Sequence, residues 1–271
     1  MDIRYYTIAP PPELAPYVRF YWVLEGNVPP GMPYVHRSMA DGCAELLFHY
    51  HNRFDELHTD GSEAPSFTSG LHGPARKYSR FRVHNGFGIF GAYLYPFALQ
   101  TLLGIPAAEF SNRMTALDEL PGKEGTELEE RIMLAADNTQ RAQILSAFLQ
   151  KKRRSAKQEL PPVAAAIQHI VHGGAAGIPI EKLASEYCLS LRQFERNFKQ
   201  QAGFSPRLFA RIIRFQSALA GRDSLPGKNL AQIALECGYY DQSHFIHDFR
   251  EFSGHHPRHY FYGEAEGSEW R

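Results

Sequence analysis

Disulfide chemistry is the first thing this chain has no means for. Its 271 residues contain three cysteines, Cys43, Cys188 and Cys237. An odd, widely spaced set makes neither a disulfide framework nor a CxxC metal pair, and it points to a reducing cytoplasm. Long apolar runs are missing as well. No stretch approaches the ~18 residues that suggest a membrane span. The N-terminus lacks a basic segment followed by an apolar one, so no signal peptide is expected. An excess of one charge is also lacking: 29 basic and 29 acidic side chains leave a formal net charge of +0. That balance argues against a generally basic coat for nucleic acid but allows a local basic face. No Walker loop, GxSxG elbow or HExxH stretch occurs. The chain is therefore expected to be no enzyme, and no catalytic residue, metal ligand or cofactor is assigned.

What is present is enough apolar and aromatic material, 44% and 13%, for two cores. The length suggests two domains at ~100–200 residues each. The fold class expected is α+β: a β-rich N-terminal domain with a few helices, then an all-α C-terminal domain. Candidate strands are 18–24, 44–50, 67–71, 78–84 and 87–93, rich in aromatic and β-branched residues and ended by turn formers. Asn85-Gly86 between two such runs predicts a tight hairpin. Helical spacing follows at 95–103, 107–112, 124–134 and 139–150.

Residues 151–157 are a charge run, followed by Pro161-Pro162. The run reads either as a solvated helix end and linker or as cations that also touch phosphates. The expected division is 1–150 for a sensing or dimerising domain, 151–162 for a basic linker, 163–262 for a helical domain and 263–271 for an acidic tail.

The helical part contains a repeat. Phe194-Glu195-Arg196-Asn197-Phe198 matches Phe245-Ile246-His247-Asp248-Phe249, and Gly203 with Pro206 matches Gly254 with Pro257, all 51 residues apart. Upstream, Leu183-Ala184 matches Ile233-Ala234 at an offset of 50, so the second copy has one extra residue in its turn. Each copy reads as helix, turn, helix. In the first, 180–187 is followed by Ser190 as an N-cap, with Gln193 placed for a capping box. In the second, 230–237 ends at Gly238, and Asp241 caps the next helix.

Two short helices joined by a tight turn form the unit whose second helix enters the DNA major groove. In the first copy Leu191, Phe194, Phe198 and Ala202 share the core face. Arg192, Arg196 and Lys199 stand opposite, with Gln193 and Glu195 at the margins. In the second, Phe245, Phe249 and Phe252 are core. The opposite face carries Ser243, His247 and Arg250, with Gln242 and His244 nearby. Arg, Gln, Glu and Ser are side chains suited to reading base edges. The cysteines of both units are expected in the core.

With these motifs in view, the last ~100 residues resemble the AraC/XylS family DNA-binding domain. The resemblance rests on residues 190–198, on Gly203-Phe204-Ser205-Pro206, and above all on residues 233–245, continuing through Phe249, Gly254 and Pro257. It implies seven helices, with two helix-turn-helix subdomains joined by a linker helix at 206–221. It implies base readers at Arg192, Glu195 and Arg196, and at Gln242, Ser243, His244 and His247. His247 departs from the Arg often found at its position. The N-terminal segment, through Leu14-Ala15-Pro16-Tyr17-Val18, Phe20-Tyr21-Trp22 and residues 41–48, resembles an uncharacterised N-terminal domain found in one group of these regulators. Together they imply a bacterial, cytoplasmic transcription factor that binds double-stranded promoter DNA and associates with the nucleoid when bound. They leave room for RNA polymerase, an unknown small-molecule effector and a second copy of the chain as further partners.

One competing reading is a metal site among His36, His49, His51, His58, His72 and His84, since His49 and His51 are two apart on one strand. No carboxylate or cysteine completes a persuasive ligand set. Aromatic segments around Phe20–Trp22, Phe48–Tyr50 and Phe90–Phe97 are candidates for a pocket, though most are expected to be core.

Overall fold

The structure is a computed structural model that describes residues 2–119, 123–155, 160–172, 179–221, 227–262 and 265–266. Ten strands lie in the N-terminal part: β1 (Asp2–Ile8), β2 (Val18–Asn27), β3 (Tyr34–Ser38), β4 (Ala44–His51), β5 (Asp55–Leu57), β6 (Glu63–Pro65), β7 (Ser69–His72), β8 (Ser79–Val83), β9 (Phe87–Leu94) and β10 (Met114–Ala116). They build two antiparallel sheets, one of six strands in the order β1-β2-β9-β4-β7-β10 and one of four in the order β3-β8-β5-β6. β9 is buried along nearly its whole length. Such a strand is at home in the middle of a sheet, and β9 sits between β2 and β4.

Both faces of the large sheet are covered. Alternation along β2 sends Tyr21 and Val23 to one side and Phe20, Trp22 and Leu24 to the other. The first side joins Leu46, Phe48 and Phe90 in the main core, which runs on into the helices. The Tyr21 hydroxyl meets Ser146 Oγ at 2.7 Å there. On the second side Trp22, Leu24 and Ile89 meet Tyr34 and Val83 of the small sheet.

The helices are α1 (Pro96–Ala98), which runs into a π-helical turn at Leu99–Leu103, α2 (Ala107–Phe110), α3 (Glu124–Met133) and α4 (Asn138–Ser155). Then come α5 (Pro162–Val171), α6 (Ile180–Glu186), α7 (Leu191–Ala202), α8 (Pro206–Ala220), α9 (Leu230–Glu236), α10 (Gln242–Ser253) and α11 (Pro257–Phe261). The α+β class holds, and the last seven of these are the helices the resemblance implies. Among the described residues no helix is long and apolar enough to cross a membrane.

The expected β8–β9 hairpin does not form. β8 pairs with β3 and β5 in the small sheet, while β9 lies in the large one. The burial of β9 gives the reason: both its edges are already taken by β2 and β4, so Asn85-Gly86 crosses between sheets. The strands β1, β3, β5, β6 and β10 were not foreseen. They are short, exposed or polar and lack the dense apolar alternation of the central strands.

Residues 151–155 of the charge run continue α4. Lys151 and Lys152 both bond Glu124 of α3. Lys157 lies outside the described residues. Of the acidic tail, Ala265 and Glu266 are described, and Glu266 bonds Arg37 and Arg80.

Candidate nucleic-acid interface and an internal cavity

Each repeat copy folds as helix, turn, helix, with the caps the residue types call for. Ser190 Oγ accepts from the Gln193 amide, and the Gln193 side chain accepts from the Ser190 amide in return. Asp241 caps α10 by accepting the His244 amide at 2.8 Å. In both turns a residue five beyond a helical alanine bonds back to it: Leu189 to Ala184 and Tyr239 to Ala234, each at 2.9 Å. Those pairs keep the offset of 50, and Ser190 with Asp241 begins the offset of 51. The extra residue of the second turn is therefore Tyr240, which is 87% exposed and stands beside the His244 ring.

The core face is as expected at Phe194, Phe198, Ala202, Phe245, Phe249 and Phe252. Leu191 is a correction. It is 39% exposed, because it is the first residue of α7 and its side chain points back past the helix end rather than onto the core. The cysteines are a second correction: Cys188 is exposed and Cys237 half-buried. Cys188 occupies the position of Gly238 in the repeat, and both take positive φ, 55° and 75°. The turn needs a left-handed residue there, and that conformation aims a side chain at solvent.

All ten candidate readers are exposed: Arg192, Gln193, Glu195, Arg196 and Lys199 on α7, and Gln242, Ser243, His244, His247 and Arg250 on α10. They are not equally free. The side-chain oxygen of Gln193 is taken up by the cap, with Ser190 Oγ 2.7 Å away. His247 Nδ1 lies 3.5 Å from Asp248 Oδ1. Tyr240, between the turn and the exposed face of α10, is not among the residues expected there from the sequence. The offset change marked the insertion, but only the structure identifies the inserted residue and its exposure.

The linker helix α8 packs against both units. Phe209 meets Phe198 edge to face at 5.3 Å, and Phe215 meets Phe249 at 5.2 Å. Arg211 on α8 bonds Asp248 at 2.6 Å and Glu251 at 2.7 Å, and Arg76 of the N-terminal part reaches Glu251 from the other side. Among the described residues His247, Asp248 and Glu251 are the only group of three with ligand atoms clustered closely enough for a metal ion. Both carboxylates are already held by arginine, which accounts for the cluster as an ion-pair network.

Further contacts fix the second unit to the N-terminal part. The Ala40 amide donates to the Phe252 carbonyl at 3.0 Å. Gln216 Nε2 donates to the Ala40 carbonyl at 2.6 Å. The buried Arg37 donates to the Ser253 carbonyl at 3.1 Å.

A cavity of about 500 Å³ lies between the two sheets and reaches α8, whose Gln216, Leu219 and Ala220 form part of its wall. Strand register builds its floor. Phe20, Tyr93, Glu45 and His72 are consecutive partners across four strands. In the next row Trp22, Gly91 and Leu47 align. Gly91 is needed there, since a Cβ at that position would overlap the Trp22 indole. Of the aromatic segments proposed as pocket walls, Phe20, Trp22 and Tyr93 line the cavity, while Tyr21, Phe48, Phe90 and Phe97 are core. His49 faces the cavity. A bulge between His49 and His51 sends His51 to the other side of the strand, which removes the paired-histidine arrangement.

Burial sets the charges in the cavity. It pushes Asp41 up to about 6 and Glu45 up to about 8. It pushes His49 and His72 down to about 4, so both imidazoles are neutral at physiological pH. The Cys43 thiol is raised to about 11 by the same cause and is no thiolate.

Comparison with known proteins gives two family matches. Residues 183–262 match the family described as "Helix-turn-helix domain", and residues 6–116 match one described as "Domain of unknown function (DUF6597)". The HTH-type transcriptional activator RhaS of Escherichia fergusonii is 31% identical over 87 residues, which is 31% of this chain and 30% of that protein. The HTH-type transcriptional regulator ArgR of Pseudomonas aeruginosa is 35% identical over 80 residues, 29% of this chain and 23% of that one. These matches thus span less than a third of either relative. Among solved structures, ToxT from Vibrio cholerae O395 aligns with a TM-score of 0.47 at 12% identity, over 89% of this chain and 97% of that chain. The C-terminal pair of helix-turn-helix units thus matches the helix-turn-helix family and is similar to the corresponding part of these HTH-type regulators.

Proposed function

We propose that the protein is a sequence-specific transcription regulator, not an enzyme, that reads promoter DNA with α7 and α10 and is controlled by a small molecule held in the cavity between its sheets. The observation that carries this reading is the double role of α8. Its aromatic residues seat both reading helices, while its last turns wall the cavity. A molecule in the cavity therefore touches the element that sets the pose of both reading heads. An effector shifts such an equilibrium only as far as its affinity for the two poses differs.

On this reading Arg192, Glu195, Arg196 and Lys199 contact one major-groove segment, and Gln242, Ser243, His244, His247 and Arg250 contact the next, about one turn or roughly 34 Å along. Gln193 serves chiefly as the cap of α7. The test is selection of bound sequences from a random DNA pool by the full chain. Enrichment of one site carrying two distinct blocks about one helical turn apart supports the reading. Recovery of no sequence above the input pool contradicts it. RNA polymerase contact and self-association are further proposals, to be read from transcription in vitro and from sedimentation with and without the selected site.

A further inference from the structure

Building on the reading of the cavity as an effector site, we propose that it selects organic cations: an ammonium seated against Glu45 and Asp41, carried on a flat apolar body that lies on Phe20 and Trp22.

Glu45 is the centre of the argument. It is only 8% exposed, and its carboxylate lies on the cavity wall. Tyr93 is its partner across the strands, and the Tyr93 hydroxyl donates to Asp41 Oδ2 at 2.9 Å. One phenolic proton cannot serve both acids. Among the described residues no basic side chain pairs with Glu45. Arg19 also lines the cavity. It favours Asp41 instead, while donating to Cys43 Sγ at 3.3 Å and lying 5.6 Å from the Phe20 ring centre. Arg37, the other arginine of the wall, is engaged by the Ser253 carbonyl and Glu266. His72, opposite Glu45 in register, is kept neutral by burial and supplies no counter-charge.

A buried carboxylate without a cationic partner either keeps a proton or finds a cation. With no cation beside it Glu45 keeps the proton, and an ammonium would take that proton's place.

The rest of the wall suits the body of such a ligand. The Phe20 and Tyr93 rings lie 5.0 Å apart, tilted by 37°, and Trp22 lies over Gly91 beside them. Aromatic faces attract cations as well as apolar surface. Trp22 Nε1 is buried with no hydrogen-bond partner among the described residues, so an oxygen on the ligand body would be held there. The ligand class is therefore an aromatic or similarly flat amine bearing an oxygen acceptor.

The experiment is calorimetric titration of the full chain at pH 7 with three probes of one shape: tyramine, the alcohol 2-(4-hydroxyphenyl)ethanol and the acid 3-(4-hydroxyphenyl)propionate. Tyramine is expected to bind at least tenfold tighter than either analogue. Its heat is expected to vary between buffers in the sense of proton release from the Glu45 corner, where Asp41, Tyr93, His72, Arg19 and Cys43 are the titratable neighbours. Glu45→Gln is expected to weaken tyramine at least tenfold. Should that variant fail to fold by thermal melting, Phe20→Leu is expected to weaken tyramine several-fold with less effect on the alcohol. Equal or tighter binding of the acid overturns the proposal, as does absence of binding by tyramine at millimolar concentration. Affinity for the selected DNA is measured alongside. Tyramine binding that leaves DNA affinity unchanged supports the ligand class while refuting the effector reading. Acid binding that changes DNA affinity does the reverse.

Discussion

The Ala40 amide and the Phe252 carbonyl, 3.0 Å apart, join the rim of the cavity to the last turn of the second reading helix. Ala40 is buried, and its own carbonyl accepts from Gln216 Nε2 on α8. Its neighbour Asp41 faces the cavity. A single residue thus ties both helices of the DNA-binding part to the segment that carries a cavity carboxylate. Gln216→Leu removes the side-chain donor and leaves the Ala40 carbonyl unsatisfied. The expected cost is about 1–3 kcal/mol in urea unfolding. A change below about 0.5 kcal/mol would mean that this carbonyl finds another donor.

Arg196 is exposed on α7 and bonds no carboxylate among the described residues. Arg196→Ala is expected to weaken binding to the selected site by roughly 1–3 kcal/mol and to relax preference at one base pair. Lys152→Ala serves as the contrast, since Lys152 is already bonded to Glu124. It should leave the salt dependence of DNA binding nearly unchanged, whereas a cation neutralising one phosphate changes the slope by about one. Filter binding across a salt series reads both.

Tyr240 makes its case through exposure. At 87% exposed it contributes little to the core, so Tyr240→Ala should alter stability by no more than about 0.5 kcal/mol. DNA affinity should nevertheless fall, because the ring stands at the edge of the α10 face. Unchanged affinity on the selected site would remove Tyr240 from the interface.

Glu45 and the cavity histidines predict a dependence of stability on pH. Glu45 holds its proton in the folded chain up to about pH 8, against an ordinary value of 4.5. Its stabilising contribution is full below 4.5 and is lost as pH rises toward 8. His49 and His72, held near 4 against an ordinary 6.5, act in the opposite sense. They stabilise above 6.5, and that contribution is lost as pH falls toward 4. The effects oppose one another below 6.5, and above it the carboxyl dominates. Stability is expected to decline from pH 6.5 to 8, by at most about 1.4 kcal/mol per pH unit. Glu45→Gln should flatten that decline in urea titrations.

The DNA-binding part was legible because its signals are local. A cap, a capping box and a three-to-four residue apolar spacing are each written within one helix, and duplication at an offset of 51 wrote them twice. Leu191 and Cys188 escaped because their directions depend on a helix end and a left-handed turn. The cavity was hardly legible. Its floor depends on Trp22, Gly91 and Leu47 lining up across three strands, and residues nearly seventy apart in sequence become neighbours only through register. Asn85-Gly86 signalled a reversal correctly but carried no information about which sheet each flanking strand would join.

The packing of Phe209 and Phe215 on opposite units has a consequence for promoter architecture. On the proposed reading, α8 fixes the order of two chemically different faces, so the bound protein would have a heading, like an arrow laid on the duplex. Inverting the operator would present the sheet domain to the opposite flank of the promoter. A regulator built this way is expected to act from its site in one orientation only, and reversing a single element upstream of a reporter would reveal its polarity.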